Sequence, residues 1–169
     1  DTAGPNIPRL RADIFTTCAA QSQIPQAECE ALVALYDSTN GNNWQNHTGW
    51  KQTDTPCSWY GASCNSGHVS ELMLSNNNLS GTIPPELGSL TNLDSLVLNN
   101  DQLSGSIPPE LGSLTNLTSL ILSYNQMSGS IPPELGSLTN LNQLYLNNNQ
   151  LSGSIPPELG SLTNLNQLY

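Results

Sequence analysis

Positive charge is scarce in this sequence. Lys and Arg together number 3, against 13 Asp and Glu, which gives a formal net charge of −10. No Lys or Arg follows Lys51, whereas eight Asp and Glu do. Proteins that bind nucleic acid or an anionic membrane surface need clustered positive charge. The charge pattern therefore excludes both of these functions.

Long apolar runs and histidines are also scarce. No run approaches the roughly 18 apolar residues that a membrane-spanning helix needs. A chain that begins at Asp1 is expected to be a processed mature protein. The 2 histidines, His47 and His68, are isolated, and neither a Ser-His-Asp set nor a glycine-rich phosphate loop is present. The sequence predicts a soluble protein that is not an enzyme and has no cofactor and no metal site.

What the sequence does contain is a repeat. The segment at residues 93–116, LDSLVLNNDQLSGSIPPELGSLTN, recurs with few changes at 117–140 and 141–164. An earlier copy covers residues 69–92, and a truncated fifth copy begins at Leu165. The period is 24 residues without an insertion. A fixed period of this length predicts a solenoid, in which each coil buries its apolar side against its neighbours.

Each coil has a strand half and a return half. In the strand half Val97 faces outwards, and three leucines are spaced to face the core: Leu93, Leu96 and Leu98. Pro108 and Pro109 exclude a helix interior, so the return half is predicted to be extended and then a short 3-10 turn. Gly105 and Gly112 fit turns where a side chain would clash or φ is positive. The predicted fold class is an α/β-type right-handed solenoid with short parallel strands on its concave face.

The pattern L-x-x-L-x-L-x-x-N-x-L-x-G-x-I-P-x-x-L-G-x-L-x-x is that of a leucine-rich repeat. Over residues 69–169 its form resembles the plant-type repeats of receptor-kinase ectodomains and polygalacturonase-inhibiting proteins. The segment Ala-Leu-Val-Ala-Leu-Tyr, with Trp44 and Trp50 after it, is similar to the cap of secreted leucine-rich-repeat proteins of microbes and algae. The resemblance implies a helical, disulfide-bonded cap within residues 1–68. It also implies repeats over 69–169, with four full copies and no carboxy-terminal cap, and ligands on the concave or lateral strand surface.

The cap region is predicted to begin with a loose leader over residues 1–8 and a short helix over residues 9–20. A clearer helix starts near Pro25, ends at Asn40-Gly41 and has an apolar stripe made of Ala27, Ala31, Leu32, Leu35 and Tyr36. Three tryptophans follow: Trp44, Trp50 and Trp59. They either close the end of the core or form a carbohydrate platform. The packing role is favoured, because large rings bury much area and an indole N–H can reach a carbonyl.

The 4 cysteines allow three pairings, among which the sequence alone does not choose. Pairing of Cys18 with Cys29 and of Cys57 with Cys64 is favoured because each pair lies within one small piece of the cap. The segment CSWYGASC also resembles the C-x-W-x-G-x-x-C signature of the plant-type cap, whose cysteines form a bridge. Zinc is the alternative, disfavoured because no C-x-x-C spacing exists. Disulfides imply an oxidising compartment, so the protein is predicted to be secreted or displayed at the cell surface.

Two polar columns have structural explanations. The ninth repeat position holds Asn77, Asp101, Asn125 and Asn149. In such folds the asparagine amide bridges backbone groups of neighbouring coils, so we predict a buried ladder in which Asp101 leaves a carbonyl poorly satisfied, because a carboxylate lacks the NH₂ donor. A second column consists of Glu86, Glu110, Glu134 and Glu158. It is either a calcium site or a solvated edge, and the edge is favoured because copying of the repeat explains the column.

The outward strand positions vary, while the return half is nearly constant. The central outward position carries Met73, Val97, Ile121, Tyr145 and Tyr169. Its polar neighbours include Ser119 and Gln143, and Tyr124 interrupts an asparagine series. A column of this composition is typical of a recognition surface. The alternative is that β-branched and aromatic residues are simply common in strands, whether or not they bind anything. The sequence predicts an extracellular scaffold that binds a protein, peptide or glycan through its concave face.

Further expectations concern the threonine rows, the family resemblance, the carboxy-terminal coil and possible glycosylation. The repeated threonines, with Ser104 and Ser106, favour an ice-binding, adhesive or structural protein as an alternative; these threonines are Thr91, Thr115, Thr139 and Thr163. Inhibition of a secreted hydrolase is a third hypothesis, based on the family resemblance alone. Because Tyr169 lies within the fifth strand without a polar cap, the chain is expected to be a fragment or to associate end to end. Possible N-glycosylation acceptors are Asn46, Asn78 and Asn116.

Overall fold

A computed structural model describes Phe15 and residues 17–169. The leader and most of the helix predicted over residues 9–20 lie outside the described residues, and residues 18–20 form a turn. Helix α1 spans Gln26–Ser38, directly after Pro25. It ends as predicted, because Asn40 takes the left-handed conformation at φ 60° and so cannot continue the helix.

The buried face of α1 differs from the predicted stripe at one end. Ala31, Leu32, Leu35 and Tyr36 are buried as predicted, but Ala27 is exposed. Glu28 and Cys29 are buried in its place. A disulfide and a buried carboxylate therefore join the first turn of α1 to the rest of the cap. An amphipathic pattern of apolar residues does not reveal either contact.

Short strands follow α1. They are β1 (Ala62–Asn65), β2 (His68–Met73), β3 (Ser80–Thr82), β4 (Ser95–Val97), β5 (Gln102–Ser104), β6 (Ser119–Ile121), β7 (Ser128–Gly129), β8 (Gln143–Tyr145), β9 (Gln150–Leu151) and β10 (Gln167–Leu168). The main sheet has 6 strands in the order β1-β2-β4-β6-β8-β10. Strands β2 to β10 in this sheet are parallel, and β1 is antiparallel to β2.

The first repeat strand begins one residue earlier than predicted, within a hairpin that the repeat pattern did not reveal. Asn65 pairs with His68 across a two-residue turn, in which Ser66 and Gly67 have φ of 53° and 78°. Positive φ at both central residues is the tight hairpin geometry that matches strand twist. Strand β2 pairs with cap strand β1 on one side and repeat strand β4 on the other. The domain division between residues 68 and 69 stays a prediction.

The core of the solenoid has the predicted arrangement. Leu93, Leu96 and Leu98 are 0% exposed, whereas Val97 is half-buried. The return halves end in 3-10 turns at Pro85–Ser89, Pro109–Ser113, Pro133–Ser137 and Pro157–Ser161, which confirms that prediction. Two small parallel sheets, β3-β5 and β7-β9, were not predicted. They form because adjacent extended return halves bring their unpaired backbone groups together.

The three tryptophans close the cap end of the core. Trp44, Trp50 and Trp59 are 4%, 1% and 1% exposed. Their indole N–H groups donate to the carbonyl oxygens of Thr39, Tyr60 and Thr53 at 2.9, 2.8 and 3.2 Å. The packing role is confirmed, and the carbohydrate platform is wrong because a sugar needs an exposed ring face.

The cysteines form the favoured local pairs. Cys18 is bonded to Cys29, and Cys57 is bonded to Cys64. The zinc alternative is therefore wrong, because disulfide sulfurs are not thiolate ligands. Both bridges lie at the cap end, where the helix, the hairpin and the tryptophans meet.

The carboxy-terminal coil exposes apolar side chains. Ile155, Leu168 and Tyr169 are 66%, 49% and 66% exposed. End-to-end association through this surface stays a prediction.

Close contact between return halves yields a stability prediction with an internal control. A Cβ at Gly88 would lie 2.7 Å from the carbonyl oxygen of Glu110 in the next coil, whereas a Cβ at Gly160 would meet no atom within 4 Å. Gly88→Ala should therefore lower the free energy of unfolding by about 1–3 kcal/mol. Gly160→Ala should be neutral or stabilising by about 0.4–1 kcal/mol, because alanine reduces the entropy of the unfolded chain. Urea denaturation measures both, and equal effects would contradict this account.

Candidate functional site

Parallel pairing aligns the predicted apolar column on the main sheet. Met73 pairs with Val97, Val97 with Ile121, and Ile121 with Tyr145. Tyr169 directly follows β10 and continues the series. Met73 is 46% exposed, and the middle three side chains are half-buried. We call these five residues the central column and the sheet surface that carries them the concave face.

The polar residues beside the central column form a hydrogen-bonded row. Ser119 Oγ donates to Gln143 Oε1, and Gln143 Nε2 donates to Gln167 Oε1, both at 3.1 Å. The Tyr145 hydroxyl also donates to Gln167 Oε1. The rings of Tyr145 and Tyr169 meet edge to face with centroids 5.0 Å apart. The aromatic end of the concave face is therefore fixed in position by its own side chains.

Tyr124 stands outside the strands in a costly backbone conformation. It has φ of 56°, and the equivalent residues of the other coils, Asn76, Asn100 and Asn148, have φ of 55°, 57° and 56°. Asparagine tolerates this left-handed region, whereas other side chains cost about 1–2 kcal/mol there. The Tyr124 ring is nevertheless 54% exposed. Burial in the core thus does not account for an aromatic residue at this position.

An acidic pocket lies at the opposite end of the concave face, and sequence reasoning missed it. Its volume is about 450 Å³, and its lining includes Asn65, His68, Ser70, Glu71, Asn92 and Asp94. His68 Nδ1 contacts Glu28 Oε1 at 2.6 Å, and Glu28 Oε2 accepts the Val69 N–H at 2.8 Å. The buried Glu28 carboxylate thereby fixes the His68 ring at the pocket wall. One sequence signal was available, because the position of Asp94 is uncharged in every other coil.

Comparisons with known proteins agree with this geometry. The model for the leucine-rich repeat N-terminal domain matches residues 25–65. The model for the leucine-rich repeat matches residues 68–90 and 92–114, and a two-copy version matches residues 115–156. The solved BIR2 ectodomain from Arabidopsis thaliana is 34% identical, with a TM-score of 0.76, over 85% of this chain and 78% of that one. This chain belongs to the leucine-rich repeat family.

Three further proteins are also similar to this chain. A plant peptide hormone receptor, RGFR1 in complex with RGF2, is 38% identical over 64% of this chain and 20% of that one, with a TM-score of 0.55. A plant ice-binding protein is 27% identical over 86% of this chain and 58% of that one, with a TM-score of 0.56. A probable inactive receptor-like kinase of Arabidopsis thaliana is 39% identical over 37% of this chain. The chain spans only 10% of that kinase.

The fold type and the disulfides indicate the class of scaffold and the location of this leucine-rich repeat protein. It has the ectodomain-type scaffold that is typical of non-enzymatic binding proteins. The two disulfides and the likeness to receptor ectodomains identify a secreted or cell-surface protein. Among the described residues, no helix is long and apolar enough to cross a membrane.

The asparagine ladder of the leucine-rich repeat connects each coil to the one before it. Asn125 Oδ1 accepts the Leu103 N–H at 2.9 Å, and its Nδ2 donates to the Leu98 carbonyl at 2.8 Å. Asn149 makes the same pair of contacts with Met127 and Leu122, at 3.0 and 2.9 Å. In the first coil Asn77 bridges instead to the backbone of Asn46 in the cap, at 2.7 and 2.9 Å. These contacts give the ladder asparagines a structural role.

Asp101 makes the acceptor contacts of this pattern but not the donor contacts. Its Oδ1 accepts the N–H groups of Asn77 and Leu79 at 2.9 and 3.0 Å. Its Oδ2 is buried and has no hydrogen-bond partner among the described residues. In the next coil the amide of Asn125 donates to the carbonyls of Leu98 and Leu122. The equivalent carbonyls for residue 101 are those of Leu74 and Leu98. Burial raises the pKa of Asp101 above its ordinary value, although the backbone N–H donors oppose this shift.

The outer edge of the solenoid also carries regular rows. Exposed asparagines donate to threonine carbonyls of the preceding coil, as Asn116 does to Thr91 and Asn140 to Thr115, both at 2.8 Å. The threonine side chains are exposed, and so is the glutamate column. Within the described part of the chain, no group of three or more His, Cys, Asp and Glu is placed to hold a metal ion.

Asp101→Asn should stabilise the protein. At neutral pH the amide would supply N–H donors where the Oδ2 atom lacks a partner, and leaving such a buried group unsatisfied costs about 1–3 kcal/mol. We expect a higher melting temperature in thermal denaturation. The reciprocal variant Asn125→Asp should lower it, because that change creates the same defect in the next coil.

The pH dependence of this effect provides the control. Because folding raises the pKa of Asp101, its contribution to stability is fully present below the unfolded pKa and is lost as the pH rises through the folded pKa. The advantage of Asp101→Asn over the native chain should therefore be small at about pH 4 and grow toward neutral pH. A pH-independent difference, or an unchanged melting temperature, would contradict the prediction.

Proposed function

We propose that this protein is an extracellular scaffold that recognises a peptide or protein segment through its concave face, centred on Ile121, Tyr124 and Tyr145. Recognition rests on a preformed complementary surface and involves no chemical step. A glycan is the other class of ligand that such a surface accommodates.

Tyr124 carries this proposal. The other coils have asparagine at its position, where the backbone is left-handed. Tyrosine is less favourable in that conformation, yet its ring is 54% exposed and so recovers little free energy from burial. Strained residues of this kind occur at binding sites, where recognition offsets the loss of stability. Tyrosine is also among the residues that dominate binding energy at interfaces.

The central column supports the same proposal. Its exposed and half-buried apolar side chains lie in one row, and the polar row from Ser119 to Gln167 borders them. Because Tyr145 is held by a hydrogen bond and by the Tyr169 ring, its side chain has lost much of its freedom before a ligand arrives. Preorganisation of this kind reduces the entropic cost of binding.

The likeness to RGFR1 is consistent with a peptide ligand. That receptor is described as a plant peptide hormone receptor in complex with RGF2. This chain covers only 20% of its length, so the likeness supports the scaffold and the class of ligand.

A capture experiment tests the proposal. Immobilised native protein, Tyr124→Asn and Ile121→Asp/Tyr145→Asp would be exposed to secreted proteins and to surface glycans, and bound material would be identified by mass spectrometry. We expect the native protein to capture a ligand that the double variant does not. Tyr124→Asn should weaken capture while raising the melting temperature, because asparagine suits the left-handed backbone.

The combination of these two readouts gives the test its control. A misfolded variant would lose both stability and capture. Tyr124→Asn is instead expected to gain stability and to lose capture. Equal capture by all three proteins would overturn the proposal, and capture of glycans alone would change the ligand class.

Ice binding is a second candidate, favoured by the similarity to a plant ice-binding protein and by the exposed threonine row. Successive threonines stand one coil apart, at about 4.8 Å. Hydrogen bonds such as that from Asn116 to Thr91 hold this edge in a regular arrangement. Hydrolase inhibition has only the family resemblance in its favour.

An ice-recrystallisation assay tests the second candidate. If the threonine row binds ice, the native protein should slow recrystallisation and Thr115→Tyr should abolish the effect, because the larger ring interrupts the row. The same variant should leave concave-face capture unchanged. Inactivity of the native protein in this assay would rule the candidate out.

A further inference from the structure

We infer that the ligand of the concave face is a basic peptide segment, whose lysine or arginine side chain enters the acidic pocket while an apolar side chain contacts Ile121 and Tyr145. This inference rests on the proposed function and specifies the chemistry of the partner.

The acidic pocket offers a cation several oxygen ligands, and no Lys or Arg lines it. Glu71 is half-buried and Asp94 is exposed. Neither carboxylate has a hydrogen-bond or ion-pair partner among the described residues. Asn65 and Asn92 add amide oxygens, and Ser70 adds a hydroxyl. The volume of about 450 Å³ suffices for an ammonium or guanidinium group with part of its stem.

The described part of the chain cannot neutralise this pocket itself. Its single Lys or Arg is Lys51, which is paired with Asp37 at 2.8 Å. His68, which also lines the pocket, contacts the buried Glu28 carboxylate at 2.6 Å. The protein as a whole has a net charge of −10. Charge complementarity therefore favours a basic partner, which the negative field would also attract over a distance.

The two ends of the concave face differ in chemistry, because its charged side chains lie at one end only. In later coils the position of Glu71 holds serine or glutamine, and the position of Asp94 holds threonine or asparagine. The central column changes in the opposite sense, from Met73 and Val97 in the first coils to Tyr145 and Tyr169 in the last. A ligand that carries a cation at one end and an apolar group at the other complements both trends.

The spacing of the two ends specifies the ligand further. Strands β2 and β8 are three steps apart in the sheet. Measured across the strands at about 4.8 Å per step, the acidic pocket and Tyr145 are separated by about 14 Å. An extended peptide rises about 3.3 Å per residue, so the basic and apolar residues should be about four positions apart. The strand backbone groups of the main sheet are paired with one another, so recognition depends on side chains.

Selection from a displayed library of random peptides tests this inference. Peptides that bind the native protein should be enriched in lysine or arginine with an apolar or aromatic residue about four positions away. The best selected peptide then serves as a fluorescent probe for anisotropy titrations. Replacing its basic residue by glutamate should abolish binding, and added salt should weaken binding of the original peptide.

A pair of charge-matched variants locates the effect. Glu71→Gln/Asp94→Asn removes two negative charges from the acidic pocket and introduces residues that the repeat already uses at those positions, as in Gln143 and Asn142. We expect this variant to bind the probe about tenfold or more weakly, since hydrogen bonds to a charged group are lost. Glu134→Gln/Glu158→Gln removes the same formal charge from the exposed outer column, and binding should remain within about twofold.

The outcomes separate this inference from the proposed function. If both charge variants weaken binding of the probe equally, the probe is attracted by the overall negative charge of the protein. The assignment of its basic residue to the acidic pocket would then be wrong. If Glu71→Gln/Asp94→Asn binds as well as the native protein while Ile121→Asp/Tyr145→Asp does not bind, the concave face is retained and the basic partner is wrong. If neither variant affects binding, the proposed function fails as well.

Discussion

Side-chain amides that bridge the backbones of adjacent coils are the interaction on which this fold depends. The strands are short, so inter-strand pairing alone fixes few residues per coil. Where the chain turns from strand to return half, backbone N–H and C=O groups are buried and need partners. Asn125 and Asn149 supply both a donor and an acceptor to the coil before them. The buried leucine core requires that these groups be satisfied.

This arrangement separates the positions that determine stability from the positions that are free to vary. The return half and the ladder position change little between coils, because each must fit the next coil closely. The outward strand positions contact only solvent and their own neighbours, so they are free to vary. Tyr124 lies between these two classes, since its backbone is constrained by the turn while its ring is exposed. Departures from the repeat therefore occur both at a buried position, as at Asp101, and at an exposed one, as at Tyr124.

Periodicity predicted the solenoid, its buried leucines and its 3-10 turns, because these features depend on local spacing that recurs every coil. The packing role of the tryptophans followed from their size. Contacts between distant segments were not predictable in this way. Glu28 meets His68 across 40 residues, and no periodic signal connects them. The acidic pocket was missed for the same reason, since Asn65, Glu71 and Asp94 come together only when the hairpin and the second coil are in place. The alignment of the central column was predicted, whereas the ligand proposed for it depends on a partner that the sequence does not contain.

The direction of the ladder has a consequence for synthesis. After the first coil, each ladder side chain reaches back to the preceding coil, as Asn149 does to Met127 and Leu122. A coil that leaves the ribosome therefore waits for the next 24 residues before its buried backbone groups are satisfied. At about 5–20 residues per second this delay is on the order of seconds. The cap provides the first fixed surface, and the nascent protein grows from it one coil at a time, always with its newest coil incomplete.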